Sequence, residues 1–241
     1  MKRQPRQLPL YLSAPHPCSY LENRQASTLF ADPNGPMDMA TYGELLRFGF
    51  RRSGRLVYAP RCEFCSQCVS VRVPVAEFTP SRSQRRVAAA NADIEVRVKG
   101  PAFDPAQFAL YQRYTQARHR DGDMAEASPE EYMGFLDAPW SNTRFVELTM
   151  NQTLVGVAVT DITEDGLSAV YTYFEPDLAK RSLGTLAILR QIELARSMKL
   201  PYLYLGYWIA DSPKMAYKTR FRPIERWHDG YWQRGIAEPS A

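Results

Sequence analysis

Residues 143–174 read TRFVELTMNQTLVGVAVTDITEDGLSAVYTYF. Three apolar runs, Thr143–Met150, Leu154–Thr163 and Leu167–Phe174, are joined by the polar links Asn151-Gln152 and Glu164-Asp165-Gly166. Links that short fit an antiparallel meander of three strands. Downstream, Ser182 to Met198 predicts a long helix. Ile188, Ile192 and Ala195 recur at helical spacing with Leu186 and Leu189 beside them, while Arg190, Glu193 and Arg196 make the polar face. Pro201 ends it, and Tyr202–Tyr207 reads as the next strand.

Upstream of the meander, Ile94 to Lys99 alternates as a strand. Asp104 to Arg118 reads as a helix capped by Asp104 with Pro105 in its first turn, and Ser128-Pro129-Glu130-Glu131 starts another that ends near Asp137. The order strand, helices, meander, long helix, strand matches the N-acetyltransferase-like (GNAT) fold. The expected class is therefore α+β: a small Cys-bearing N-terminal domain with a basic linker, residues 1–90, followed by a GNAT-like domain, residues 91–241. Within the first segment, residues 1–17 hold four prolines and are expected to be extended or poorly ordered. Asp32 to Pro36 is a turn, and Ser53-Gly54 leads into a short strand at Arg55–Tyr58. Val69 to Val75, with Pro74 in it, reads as an edge strand, and Thr79 to Arg86 reads as a polar, basic link.

The chain has 241 residues, of which 45% are apolar, enough for one large core or two small ones. A net charge of +4 permits a polyanionic partner without demanding one. No transmembrane segment is read, because the apolar run from Leu200 to Ala210 is too short and holds Pro201. No apolar run follows the basic Met1–Arg6 segment, so a secretory signal is not expected. Four cysteines, three of them clustered, do not resemble a secreted disulfide framework, and the cytosol is the expected compartment.

Cys62, Cys65 and Cys68 form C-x2-C-x2-C, and Cys18 offers a fourth thiol from a distant loop. A turn that aims successive thiolates at one point suits zinc or an iron–sulfur cluster, whereas buried free thiols on a tight loop are the structural alternative. Arg82, Arg85 and Arg86 are a candidate phosphate-binding cluster, with a solvated charge run as the other reading. Arg181-x-x-Gly184 matches half of the turn that holds the coenzyme A pyrophosphate in acetyltransferases, but Leu186 replaces its final small residue. His119, among arginines at a helix end, is either a proton carrier or an ordinary helix-end residue.

These motifs together resemble the family of aminoacyl-tRNA–protein transferases, in its compact bacterial form. The markers are Pro17-Cys18-Ser19-Tyr20-Leu21, Tyr58-x-Pro60-x-Cys62-x-x-Cys65-x-x-Cys68 with Arg72-Val73, and Ser81-Arg82-Ser83-Gln84-Arg85-Arg86. They continue with Tyr171-x-Tyr173-Phe174-x-Pro176, Gly206-Tyr207-Trp208-Ile209 and Ser212-x-Lys214-Met215-x-Tyr217-Lys218-x-x-Phe221-x-Pro223. The resemblance implies that leucyl-tRNA takes the place of acetyl-coenzyme A, and that leucine passes to the α-amine of proteins starting with Asp or Glu. The product is marked for degradation by the N-end rule.

No cofactor is required for such a transfer. Lys214 and Lys218, four apart and on one face if helical, are expected with Arg118 to bind the acceptor carboxylate. Tyr207 and Tyr217 are the expected catalytic hydroxyls. Arg82, Arg85, Arg86, Arg181, Gly184 and Tyr171 are the expected tRNA contacts. Three other readings remain open at this point: arginyl transfer, a coenzyme A-dependent N-acyltransferase, and a non-catalytic RNA- or degron-binding adaptor.

Overall fold

The computed structural model describes residues 8–118 and 126–235, and His119 lies outside them. The N-terminal part opens with β1 (Leu10–Leu12), β2 (His16–Pro17), β3 (Gln25–Ala26) and β4 (Thr28–Ala31). It continues with α1 (Met39–Arg47), β5 (Arg51–Ser53), β6 (Leu56–Pro60), β7 (Val69–Pro74) and α2 (Arg82–Ala90). Next come β8 (Ile94–Lys99), α3 (Pro105–Arg118), α4 (Pro129–Leu136), and the meander β9 (Thr143–Met150), β10 (Thr153–Ile162) and β11 (Gly166–Phe174). A 3-10 segment, Pro176–Arg181, precedes α5 (Leu183–Ser197) and β12 (Tyr202–Trp208). A second 3-10 turn, Ala216–Arg220, leads to β13 (Glu225–His228) and β14 (Tyr231–Arg234).

The meander, the long helix and the following strand stand where the sequence puts them. β9, β10 and β11 pair antiparallel, and β12 joins β11 in parallel after the α5 crossover, the GNAT-like arrangement within an α+β chain. The large sheet runs β14-β13-β7-β12-β11-β10-β9-β8, and a smaller one runs β1-β4-β6-β5. Val69–Val75 is thus not an edge strand: β7 lies between β12 and β13. Pro74 is tolerated because it closes the strand. The sheet therefore draws one strand from the N-terminal side of residue 90.

Thr79–Arg86 is likewise not only a link. Ser81 and Gln84 form a reciprocal capping box that starts α2, satisfying two otherwise unpaired N–H groups at the helix start. Gln84 is turned inward and its amide donates to the Arg220 carbonyl at 3.1 Å, while Val87 and Ala88 pack on the core.

Strand alternation assigns the two faces of the large sheet. Leu167, Leu203, Val71 and Val73 meet Ile188, Leu189 and Ile192 of α5 on one face. On the other, Phe145, Val157 and Tyr173 meet Leu110 and Tyr111 of α3 and Tyr132 and Leu136 of α4. Beside that cluster, Tyr204 of β12 enters the core of the N-terminal part with Tyr42, Leu46, Phe50 and Val57.

The joint between the two parts is a buried ion pair. Arg52 Nε donates to Asp161 at 2.5 Å and Nη2 to its other oxygen at 2.6 Å, with further donation to Leu136 O at 2.9 Å. Thr143 joins both members: its hydroxyl accepts from Arg52 Nη2 at 3.0 Å and donates to Asp161 at 2.9 Å. The turn beside it needs glycine: Gly54 has φ +54°, and a Cβ there would lie 2.2 Å from Gly134 O. Removing one member of a fully buried pair strands the other charge. Asp161→Ala should therefore cost about 3–5 kcal/mol in urea unfolding. A loss under about 1 kcal/mol would instead rank the pair with solvent-screened surface bridges.

Candidate active site

β11 and β12 are hydrogen-bonded neighbours for only three registers, Gly166↔Tyr202 to Ser168↔Tyr204. β11 then follows β10 as far as Phe174, across a bulge at Val159/Thr160. β12 follows β7, with its register shifting between Tyr204 and Gly206. The two strands part, and the backbone groups facing the gap need other partners. Arg51 fills the mouth of the gap. Its Nη2 donates to Ala169 O at 2.5 Å, and its guanidinium lies against Gly206, where a Cβ would approach Nε to 3.2 Å. Gly206 holds φ +81°, so glycine serves both the bend and the close approach. Arg51 is 6% exposed, and its Nη1 has no hydrogen-bond partner among the described residues.

Lys218 comes to the same place from the Ala216–Arg220 turn. It is 5% exposed, and its ammonium donates to Tyr207 O and lies 3.5 Å from Met215 Sδ. Burial, and then the nearby Arg51 charge, pull its pKa down to about 7, against a smaller opposing effect of Cys68. Tyr217 shows part of its ring to solvent, but its hydroxyl is shielded: burial first, then Tyr114, push it up to about 12, with Arg51 opposing. Tyr171 OH is buried and without a partner among the described residues. Burial raises its pKa as well.

Several expected roles change here. Lys214 is exposed and lies outside the turn that buries Lys218, because that turn is a 3-10 segment beginning at Ala216 and not an α-helix spanning both lysines. Tyr207 does not present a hydroxyl to the gap. It points into the N-terminal part, within donating distance of Gly49 O at 3.0 Å and Tyr58 O at 3.1 Å. Tyr217 remains at the site, while Arg118 is exposed at the end of α3, with its Cζ 6.0 Å from the centre of the Phe174 ring.

Among the residues expected to meet tRNA, Arg82, Arg85 and Arg86 are exposed on α2, and no carboxylate partner is found for them among the described residues. Arg181 is engaged elsewhere: its guanidinium donates to Asn91 at 2.9 Å and pairs with Asp93. Gly184 makes room for a ring, since a Cβ there would meet Phe174 at 3.1 Å. Arg51 was missed by the sequence reading. The available signal was the pair Arg51-Arg52 in a strand, because alternation must send one of two adjacent arginines inward.

Residues 16–86 match the family described as "Arginine-tRNA-protein transferase, N terminus", and residues 106–228 match "Arginine-tRNA-protein transferase, C terminus". The chain belongs to the arginine-tRNA-protein transferase family. It is 48% identical to the "Aspartate/glutamate leucyltransferase" of Marinobacter nauticus over 95% of this chain and 96% of that one. It is 52% identical to the protein of that name from Stenotrophomonas maltophilia, over 92% of this chain and 93% of the relative. Among solved structures, "The structure of L-PGS from Bacillus licheniformis" superimposes with a TM-score of 0.47 at 12% identity, over 68% of this chain and 48% of that one.

In this family member Cys18, Cys62, Cys65 and Cys68 line one cavity of about 200 Å³, together with Tyr20, Tyr58 and Tyr207. Cys18 thus approaches the 62–68 loop. Among the described residues, however, no three His, Cys, Asp or Glu side chains are placed to hold a metal ion. Burial, then Cys62 and Cys18, push the Cys68 thiol up to about 12.

The Lys218 shift makes a stability prediction. The unfolded lysine keeps its proton up to about 10.5, while the folded one releases it above about 7. The unfolded state thus binds more protons across that window, so this group makes stability rise with pH there, and its cost is full below pH 7. Lys218→Met removes this pH-dependent cost together with the bond to Tyr207 O, so its stability relative to wild type should be most favourable at low pH. The stability difference, variant minus wild type, in urea unfolding should fall by on the order of 3–4 kcal/mol from pH 6 to pH 10, one pKa unit being about 1.4 kcal/mol. A pH-independent difference would mean that Lys218 is charged in the folded protein throughout.

Proposed function

We propose that this chain is an aminoacyltransferase that moves leucine from leucyl-tRNA to the N-terminal α-amine of proteins beginning with Asp or Glu. The observation that carries this reading is the identity of 48% and 52%, over more than nine-tenths of both chains, to proteins named for that activity. The gap between β11 and β12, lined by two buried cations, supports it, because an acidic acceptor brings a carboxylate. The reaction marks proteins for N-end rule degradation, and its expected compartment is the cytosol. No helix among the described residues is long and apolar enough to cross a membrane.

The chemistry asks little of the protein beyond placement. Leucine arrives as an ester on the terminal ribose and is already activated. Near neutral pH about a tenth of an ordinary α-amine is unprotonated. Its nitrogen lone pair attacks the ester carbonyl carbon, and the carbonyl electrons move onto oxygen. Collapse of that oxyanion breaks the bond to the ribose oxygen, which takes a proton as the nitrogen loses one, leaving a peptide bond and free tRNA. Holding amine and ester in line and hydrogen bonding the oxyanion supply the acceleration.

Tyr171 and Tyr217 are the hydroxyls at the gap for this work. Both have raised pKa values, so both act as neutral donors. Lys218 matches the acceptor carboxylate, with Arg118 at the end of α3. An anion beside Lys218 favours its protonated form and so offsets the cost of burying it. Arg82, Arg85 and Arg86 face the tRNA backbone, where exposed arginines bind phosphates and displace counterions. No step passes through a metal.

Two outcomes are expected. Incubated with charged tRNA and a peptide beginning with Asp or Glu, the protein should incorporate radiolabelled leucine and not arginine. Arginine incorporation without leucine incorporation would overturn the donor assignment. Replacing Arg82, Arg85 and Arg86 together with Ala should weaken leucyl-tRNA binding. The slope of log K against log salt should flatten by up to about 0.9 for each phosphate no longer neutralised. An unchanged salt slope would return those arginines to the solvated surface.

A further inference from the structure

Three buried arginines invite comparison. Arg52 is matched by Asp161 and Arg72 by Glu225, at 2.5 Å and 2.7 Å. Arg51, adjacent to the first and equally buried, has no carboxylate partner among the described residues. One of its nitrogens serves Ala169 O and another is left unpaired. Lys218, the second buried cation within its field, has no carboxylate partner among the described residues either. A buried charge without a counter-charge is costly, and two of like sign side by side are costlier. The fold keeps them where two strands part. That is the arrangement of a site whose missing member is an anion.

We infer that Arg51 is the specificity-determining residue for the acceptor, its guanidinium taking the side-chain carboxylate of the N-terminal Asp or Glu beside Lys218. This rests on the acceptor class proposed above and adds the residue that selects it. The guanidinium fork suits a carboxylate, which accepts two parallel N–H bonds from it. With Nη2 held on Ala169 O, the unpaired Nη1 is the direction left for a ligand. Because Nη1 is buried as well as unpaired, the ligand reaches it when the Ala216–Arg220 turn shifts. That turn carries Tyr217 and Lys218, two of the groups that sense Arg51, and it has no side-chain cap to fix its start. A neutral Asn or Gln at the acceptor N-terminus leaves the two cations unmatched and is rejected for that reason.

The test uses Arg51→Lys, which keeps the charge and the donor to Ala169 O but removes the fork. Fluorescent peptides beginning with Asp and with Asn are titrated against wild type and variant without tRNA, and leucyl-tRNA binding and transfer are measured in parallel. In wild type the Asp peptide should bind at least ten-fold tighter than the Asn peptide. In Arg51→Lys the Asp peptide should weaken ten- to hundred-fold and the preference should largely vanish. KM for the peptide should rise more than kcat falls, with the unfolding midpoint and leucyl-tRNA Kd close to wild type.

Retained preference in a folded Arg51→Lys would overturn the inference. So would a loss confined to leucyl-tRNA binding, since the anion would then belong to the donor, as its phosphate or oxyanion. Should Arg51→Lys fail to fold, Arg51→Lys combined with Lys218→Met, which relieves the crowded charge, is compared with Lys218→Met alone, and the Asp over Asn preference left in the single variant must fall in the double or the inference fails. Absence of leucine transfer by wild type, with Asp over Asn preference intact and lost in the variant, would refute the transfer reading and leave the carboxylate site standing.

Discussion

Parallel strands hold together only while both keep facing each other, and here two neighbours pull β11 and β12 apart. β10 holds β11 along nearly its full length, while β7 holds β12 and bends it at Gly206. The backbone groups exposed at the parting must still find partners. Two are found by cations from distant parts of the chain: Arg51 takes the Ala169 carbonyl and Lys218 takes the Tyr207 carbonyl. The residues that make the site positive are therefore also the ones that close the ends of the opened sheet. This explains how a pair of crowded, buried cations is retained: each satisfies a carbonyl that would otherwise be buried without a donor.

A second consequence concerns the segment before α5. Arg181-x-x-Gly184 stands where acetyltransferases hold a pyrophosphate. In this chain Arg181 ties to Asn91 and Asp93, at the end of α2 and the start of β8, and Gly184 lies against the Phe174 ring. Ser182 enters α5 in the left-handed region, without a side-chain cap. The segment works as a joint between α2, β11 and α5. Arg82, Arg85 and Arg86 stand exposed on α2, apart from that joint.

Much of this fold was legible because local signals agreed with one another. The meander has polar links between apolar runs, and α5 has helical spacing and a proline after it. β8 and β12 were found within a residue for the same reason. The errors came where a local feature was given one meaning and tertiary context gave it another. Pro74 suggested an edge, but it sits at the strand end, where the missing N–H costs nothing to the central ladder. Ser81 to Arg86 looked like a linker by composition, although Ser81 and Gln84 three residues later are the elements of a capping box. The Lys214 and Lys218 spacing assumed 3.6 residues per turn in a segment that winds with three. Arg51 was invisible because its importance depends on Ala169 and Gly206, more than a hundred positions away, and only the doubled arginine hinted at it.

The place of β7 also bears on how the chain is made. Arg72 reaches Tyr204, 132 residues later, and Glu225, 153 residues later. During synthesis β7 thus leaves the ribosome well before either of its neighbours exists. At ordinary elongation speeds of about 5–20 residues per second the wait is on the order of ten seconds. Contacts this distant in sequence slow folding, because the loop between them must close before any pairing is gained. During that interval Val71 and Val73, both fully buried in the finished sheet, have only water, a chaperone or another nascent chain to face.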